Sequence, residues 1–151
     1  KEFNLDITIE HCTEGYLIAD ILKESNVRVI LGPLLTDRSK IELRNQNIKA
    51  PGILSKLGIP VAIMTDHPCV PNQHLLLCAA IAVREGMTEI DALKAVTINA
   101  AKAGGIENRV GSLEVGKDAD VVIFSGHPFD YKTKADITII NGKAVYHRED
   151  E

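Results

Sequence analysis

The sequence predicts an α/β protein in which parallel strand–helix units precede a small antiparallel β unit. Between residues 6 and 64, short apolar strand patterns alternate with helical patterns, which is typical of a parallel sheet covered by helices. After Gly105, glycines separate short runs of β-branched residues, and Asn141-Gly142 between two of these runs is a strong hairpin signal. With 151 residues, the chain is long enough to bury one core.

The elements of the α/β part follow from side-chain periodicity and from the residues at helix ends. Pro51 is tolerated in a first helical turn, Gly58 is a common residue after a helix, and Thr88 with Asp91 is typical of a capping box. Strands are predicted over 6–10, 27–31 and 59–64, and helices over 13–26, 51–58, 73–85 and 88–104.

The remaining segments are a long loop, the β unit and the chain end. The polar loop 36–47 is long for a compact α/β protein, and such loops are often functional. Strands of the β unit are predicted at 121–124, 137–140 and 143–146. Residues 148–151 are predicted to form a solvated tail.

Composition and charge exclude several classes of function. A net charge of −4 with mixed signs gives no basic surface for nucleic acid or for a membrane. The longest apolar run, 75–83, is too short to span a bilayer. Three cysteines, an odd number without a C-x-x-C pair, favour a reduced, cytoplasmic protein. The chain begins at Lys1 without Met, which predicts that it is a piece of a longer protein.

Two predicted parallel strands end on side chains that bind metals. His11 follows the first strand, and Asp66 follows the third. In β/α barrels the active site lies at the carboxyl ends of the strands, and its residues come from several strands. Imidazole and carboxylate together suit zinc or a similar divalent ion. A carboxylate beside such an ion can take the proton from an attacking water and pass it to the leaving group.

Structural interpretations of the same residues stay open. A single His at a strand end is more often a hydrogen-bonded structural residue, and an Asp before His-Pro is more often a turn residue. The shared position of His11 and Asp66 at the same end of neighbouring strand units favours the metal site. His67 either contacts a substrate or faces away and bonds to the loop.

The other titratable side chains carry weaker signals. His74, His127 and His147 are predicted to be structural or surface residues. Strand alternation turns Cys12 away from His11, which predicts a buried, inert thiol. Cys69 lacks the electropositive surroundings of a nucleophile. The sequence contains no G-x-S-x-G, P-loop or G-x-G-x-x-G motif.

Four stretches of the chain match motifs of a known family. They are T-D-H-P at 65–68, A-V-R-E-G-M at 82–87, A-L-K-A-V-T-I-N-A-A at 92–101, and N-R-V-G-S-L-E-V-G-K-D-A-D-V-V at 108–122. With these motifs the chain resembles the C-terminal third of metal-dependent amidohydrolases, most closely the imidazolonepropionase-related group. The resemblance covers nearly the whole chain, and its G-S-L-E-V-G-K-D-A-D-V-V stretch is highly characteristic of the superfamily, although structural.

The resemblance implies a TIM-type (β/α)8 barrel that carries a small β-sandwich. Residues 1–105 would supply barrel strands six to eight with trailing helices, and residues 106–151 a segment of the sandwich. Asp66 matches the eighth-strand Asp, which binds the metal and acts as general acid/base. His11 matches the sixth-strand His, which binds a second metal in binuclear members or orients substrate or water in mononuclear ones. The implied cofactor is one or two divalent ions, with zinc favoured.

The implied activity is hydrolysis of a C–N bond in a small-molecule amide or cyclic amide by metal-activated water. The family's first-strand His-x-His, its fourth-strand Lys or Glu and its fifth-strand His have no match here, which predicts that the isolated chain is inactive. True imidazolonepropionases carry an Asn-Pro-Gly-like motif after the catalytic Asp, whereas His67-Pro68-Cys69 follows here. This difference counts against imidazolone propionate and leaves another amide, a cyclic amide or a dipeptide-like substrate.

Two hypotheses from other functional classes remain beside the hydrolase. A metal-free relative that serves as a scaffold or interaction protein would keep the fold without the ligands, although retention of both His11 and Asp66 weighs against it. A free-standing binding domain would leave exposed sheet edges, which are a liability in soluble proteins. Those edges also favour association of an isolated segment with another copy, as a homo-oligomer.

Overall fold

The computed structural model describes residue 3 and residues 5–149 of the chain. It confirms the predicted succession of a helix-covered parallel sheet and an antiparallel sheet. The strands are β1 Thr8–Ile9, β2 Arg28–Leu31, β3 Val61–Ile63, β4 Val121–Phe124, β5 Ala135–Ile140 and β6 Lys143–His147. The helices are α1 Ala19–Ser25, α2 Ala50–Lys56, α3 Leu75–Arg84, α4 Glu89–Ala95 and α5 Ile98–Ala103. Single 3-10 turns lie at Gly15–Ile18, Ile41–Leu43 and Asn72–His74.

The first sheet has the strand order β1-β2-β3, and all its strands are parallel. Val29 lies opposite Val61, and Leu31 lies opposite Ile63. All of β3 is buried, which explains its purely apolar sequence. Because the strands are parallel, their carboxyl ends meet at one edge of the sheet, and this edge carries the residues that follow β1 and β3.

The core combines branched aliphatic side chains of the sheet with small residues of the helices. Val29, Leu54 and Val61 are almost completely buried. Alanines of α3 and α4 that face the core are buried as well, and they are Ala79, Ala82, Ala92 and Ala95. These small side chains let the helices approach one another and the sheet closely, so that a core with few aromatic residues still packs tightly.

The second sheet is antiparallel, with the strand order β4-β5-β6. Asn141 and Gly142 both have positive φ, 50° and 74°, as a two-residue type I′ turn requires, and this confirms the predicted hairpin. The sheet keeps apolar side chains on its surface, among them Val122 and Ile140. In the part of the chain that the structure describes, no helix has the length and apolar character needed to cross a membrane.

The helix predicted over 88–104 is wrong as a single element. It divides into α4 and α5 at Val96 and Thr97, where the Thr97 backbone leaves the helical region at φ −129° and ψ −100°. The Thr97 hydroxyl donates to the carbonyl of Leu93 at 2.6 Å. Such a local bond from a Thr side chain competes with continuous helix geometry, whereas the apolar periodicity runs through the break unchanged.

Two further segments differ from the sequence-based expectation. The first strand is limited to two residues, because β1 has one partner strand among the described residues and the chain before it is exposed. Arg148 is not part of a solvated tail. Its N–H donates to the Asp136 carbonyl at 2.7 Å, and its guanidinium pairs with the Asp136 carboxylate at 2.9 Å. Of the predicted tail, residues 150 and 151 lie outside the described residues.

The predicted cap of α4 is confirmed and gives a test of local stability. The Thr88 hydroxyl accepts the Asp91 N–H at 3.1 Å and donates to Asp91 Oδ2 at 2.8 Å. Ser55 donates to the same carboxylate oxygen at 2.8 Å and so links α2 to α4. These hydroxyls, Thr88 first and Ser55 second, lower the pKa of the Asp91 carboxyl below its usual value.

Replacing Thr88 with Ala is expected to reduce the free energy of unfolding by about 1 kcal/mol, the usual effect of losing a helix N-cap. Since the folded pKa of Asp91 is lowered, its contribution is present above the unfolded pKa and is lost as the pH falls through the folded pKa. Urea unfolding at neutral and at acidic pH measures both effects. The difference between wild type and Thr88→Ala should shrink at acidic pH, while Thr88→Ser stays close to wild type. A loss independent of pH would contradict the bond to the ionised carboxylate.

Candidate active site

His11 and Asp66 lie just beyond the carboxyl ends of β1 and β3. Both have a left-handed backbone, with φ of 62° at His11 and 53° at Asp66. Few residues other than Gly adopt this conformation, although Asp and His tolerate it better than most. Outliers of this kind collect at functional sites, where the surrounding structure holds them in place. A residue with a left-handed backbone therefore follows each of the two strands at the same edge of the sheet.

A single hydrogen bond orients the His11 ring. His11 Nδ1 lies 3.0 Å from the carbonyl oxygen of Gly32. A carbonyl can only accept, so Nδ1 is the donor and Nε2 is the nitrogen left for another partner. Histidines that bind metals through one nitrogen usually donate the other N–H to a carbonyl or a carboxylate. The orientation of the His11 imidazole thus leaves Nε2 as the nitrogen that could bind a metal.

Gly32, which provides that carbonyl, lies where the ends of β2 and β3 approach most closely. Met64 donates its N–H to the Leu31 carbonyl at 2.9 Å. A Cβ atom at position 32 would overlap the backbone oxygen of Met64, and the φ of Gly32 is +148°. Only glycine fits this conformation and this space. The partner of His11 is therefore placed by the packing of two strand ends.

The segment after β3 is closed by its own hydrogen bonds. Cys69 donates its N–H to the Asp66 carbonyl at 2.8 Å, and Val70 donates to the Thr65 carbonyl at 3.2 Å. The buried Thr65 donates its hydroxyl to Asn72 Oδ1 at 3.0 Å. Within the described residues, the Asp66 carboxylate has no hydrogen-bond donor, and the side chain is exposed. Its oxygens are available to a ligand.

A cavity of about 390 Å³ connects the two strand ends. It is lined by His11, Thr13, Gly32, Pro33, Thr36, Ser39, Lys40, Glu42, Leu43, Gln46, Asp66 and Cys69. The structure thus brings His11 and Asp66 to one cavity. His67 is exposed and lies outside this lining. Sequence reasoning did not single out the lining residues of the loop after β2, although the length and polarity of that loop were a signal.

The donor set of the cavity suits a divalent ion but is incomplete. An imidazole nitrogen and a carboxylate are typical zinc ligands, and catalytic zinc sites use three protein ligands. Among residues 5–149, no group of three or more His, Cys, Asp and Glu side chains could hold a metal. Cys69 lines the same cavity but forms no such group with His11 and Asp66. Cys12 is half-buried against the core, and this burial raises the pKa of its thiol.

Comparison with known proteins shows relatives over most of the chain. The sequence profile of the Amidohydrolase family matches residues 5–145. An imidazolonepropionase from Thermoplasma acidophilum is 35% identical over 139 residues, which cover 87% of this chain and 33% of that enzyme. The crystal structure of an amidohydrolase from Thermotoga maritima MSB8 superposes with a TM-score of 0.93 at 45% identity, over 97% of this chain and 38% of the other.

A more distant structure extends the comparison. An adenosine deaminase from Xanthomonas campestris with bound zinc superposes with a TM-score of 0.63 at 25% identity, over 89% of this chain and 36% of that one. The chain spans about a third of the length of these relatives. The family profile covers the first sheet, all five helices and the second sheet except for the last two residues of β6. The resemblance indicated by the sequence motifs is therefore confirmed, and the chain belongs to the amidohydrolase family.

Proposed function

We propose that the chain is the C-terminal part of a metal-dependent hydrolase that uses water to cleave the C–N bond of a small amide or cyclic amide. The observation that carries this proposal is the placement of His11 and Asp66 on one cavity, with Nε2 of His11 and the Asp66 carboxylate both available. In this assignment β1, β2 and β3 are barrel strands six, seven and eight. Residues 1–105 belong to the barrel, and residues 106–151 belong to the β-sandwich.

The remaining ligands come, in this proposal, from the part of the relatives that this chain does not span. Imidazolonepropionase is the activity of the Thermoplasma relative, and the Xanthomonas relative binds zinc. His11 would hold the ion through Nε2, and Asp66 through a carboxylate oxygen. When bound, one or two divalent ions, zinc by preference, polarise the substrate carbonyl and lower the pKa of water.

Asp66 performs the proton transfers. Its carboxylate takes a proton from the attacking water and later delivers that proton to the leaving nitrogen. The exposed position of Asp66 at the cavity, without a donor from the described chain, keeps the carboxylate free to do so. His67 follows directly and would contact the part of a substrate that extends beyond the cavity. The cavity volume is in the range of small-ligand sites.

The alternative function is that of a metal-free scaffold with an amidohydrolase fold. The small number of ligands among the described residues favours it. The placement of His11 and Asp66 on one cavity weighs against it. The three free cysteines accord with the proposal of a cytoplasmic enzyme.

Removing the metal from the full-length protein that contains this sequence distinguishes the hydrolase from the metal-free scaffold. Treatment with a chelator is expected to abolish hydrolysis of amide and cyclic amide substrates, and Zn²⁺ should restore it. Purified residues 1–151 should be inactive under the same conditions. A full-length protein that contains no metal and gains none from Zn²⁺ would overturn the proposed function and favour the scaffold.

A further inference from the structure

We propose that Gln46 is a positioning residue that fixes the orientation of the His11 imidazole through the segment Gly32–Pro33. This proposal rests on the proposed function, because it takes His11 as a metal ligand. Gln46 belongs to the loop after β2, which no sequence motif connects to the metal site.

The geometry forms a continuous path from Gln46 to His11. Gln46 Nε2 donates to the Pro33 carbonyl at 3.2 Å, and His11 Nδ1 donates to the Gly32 carbonyl at 3.0 Å. The two carbonyls belong to consecutive residues, so their segment is held from both sides. A carbonyl accepts only, so the side-chain NH₂ of Gln46, and not its oxygen, faces Pro33.

The two ends of the Gln46 amide differ in their contacts within the described residues. Gln46 Oε1 is buried and has no donor within the described part of the chain. An apolar side chain of similar shape would fill the same space without a polar atom to satisfy. The bond from Nε2 to Pro33 is the contribution of Gln46 that such a side chain cannot make.

Gln46 is itself held firmly enough to act as a support. Its N–H donates to the Leu43 carbonyl at 2.9 Å, and its carbonyl accepts from Arg38 at 2.8 Å. The neighbouring Asn45 accepts the Tyr16 hydroxyl at 2.9 Å. This second anchor reaches the same loop one residue away but does not touch Gly32 or Pro33. Tyr16 therefore offers a matched control for loop anchoring alone.

The test measures release of Zn²⁺ from the zinc-loaded full-length protein to a chromogenic chelator. Gln46→Met keeps the length of the side chain and removes the donor. Loss of a group that orients a metal-binding His typically weakens metal affinity about 10–100-fold. Gln46 contacts the Pro33 carbonyl and not His11 itself, so we expect an effect at the lower end of that range. Zn²⁺ release from Gln46→Met should be about 10-fold faster than from wild type. Tyr16→Phe should release zinc at the wild-type rate, although it loosens the same loop.

A double-mutant cycle with His11→Ala separates positioning from general destabilisation. In the absence of the imidazole, adding Gln46→Met should change the release rate no further. An additive effect, or equal effects of Gln46→Met and Tyr16→Phe, would overturn the positioning role while leaving the metal site intact. If Gln46→Met does not fold, Gln46→Asn, whose amide is too short to reach Pro33, goes through the same comparison. A wild-type protein that holds no zinc overturns this proposal together with the proposed function.

Discussion

Replacing Asp66 with Asn in the full-length protein is expected to lower kcat by about 10²–10⁴-fold, the usual contribution of a general acid or base. Asn has nearly the same shape as Asp but can neither accept the proton of the attacking water nor deliver it to the leaving nitrogen. Since the Asp66 carboxylate has no donor among the described residues, the exchange breaks no hydrogen bond seen in the structure. The fold should therefore survive, and the midpoint of thermal unfolding should stay near that of wild type.

Asp20→Asn is the matched control for this experiment. Asp20 is exposed on α1 and lies outside the cavity lining, so the same change of charge and shape occurs away from the site. Steady-state kinetics of both variants should show the loss only for Asp66→Asn, in kcat more than in KM. Equal activity of Asp66→Asn and wild type would exclude Asp66 as the general acid/base.

Replacing Gly32 with Ala is expected to destabilise the protein by about 3 kcal/mol or more, because a clash with fixed backbone adds to an unfavourable conformation. The new Cβ would overlap the Met64 oxygen and lie 3.0 Å from the Met64 carbonyl carbon. The clash is relieved only if the ends of β2 and β3 separate. The Gly32 carbonyl, which accepts the hydrogen bond from His11, would then move with them. We therefore expect faster release of zinc as well as a lower midpoint of urea unfolding.

Gly58 provides the control that isolates the clash. Its φ is also positive, +79°, but an added Cβ would meet no atom within 4 Å. Gly58→Ala should therefore lose only about 1–2 kcal/mol, the cost of a left-handed backbone for a residue with a side chain. Equal losses for the two variants would show that the close approach of the strand ends does not limit position 32.

Local sequence patterns correctly predicted the elements whose burial or turn geometry is uniform along their length. The apolar run that forms β3 is buried throughout, and the turn residues Asn141-Gly142 dictate their own backbone conformation. The break of the helix at Thr97 escaped prediction because apolar periodicity reports which face is buried and not whether the backbone is continuous. Arg148 was placed in a tail because its partner Asp136 is distant along the chain.

The candidate site was likewise predictable from the sequence only in part. Parallel strand–helix units bring the carboxyl ends of strands together, so the common cavity of His11 and Asp66 could be expected from order alone. The order of the elements does not predict the hydrogen bond from His11 to Gly32 or the support from Gln46. Both depend on how the end of β1 and the loop after β2 pack in three dimensions, and a glycine or a glutamine in a loop carries no periodic signal.

X-ray diffraction at the zinc absorption edge, from crystals of the full-length protein grown with Zn²⁺, tests whether His11 and Asp66 bind the metal. We expect anomalous density in the cavity from one ion or two, about 2.0–2.2 Å from His11 Nε2 and from an Asp66 carboxylate oxygen. A full-length protein that hydrolyses its substrate with zinc bound elsewhere, or with neither side chain on the ion, would contradict it.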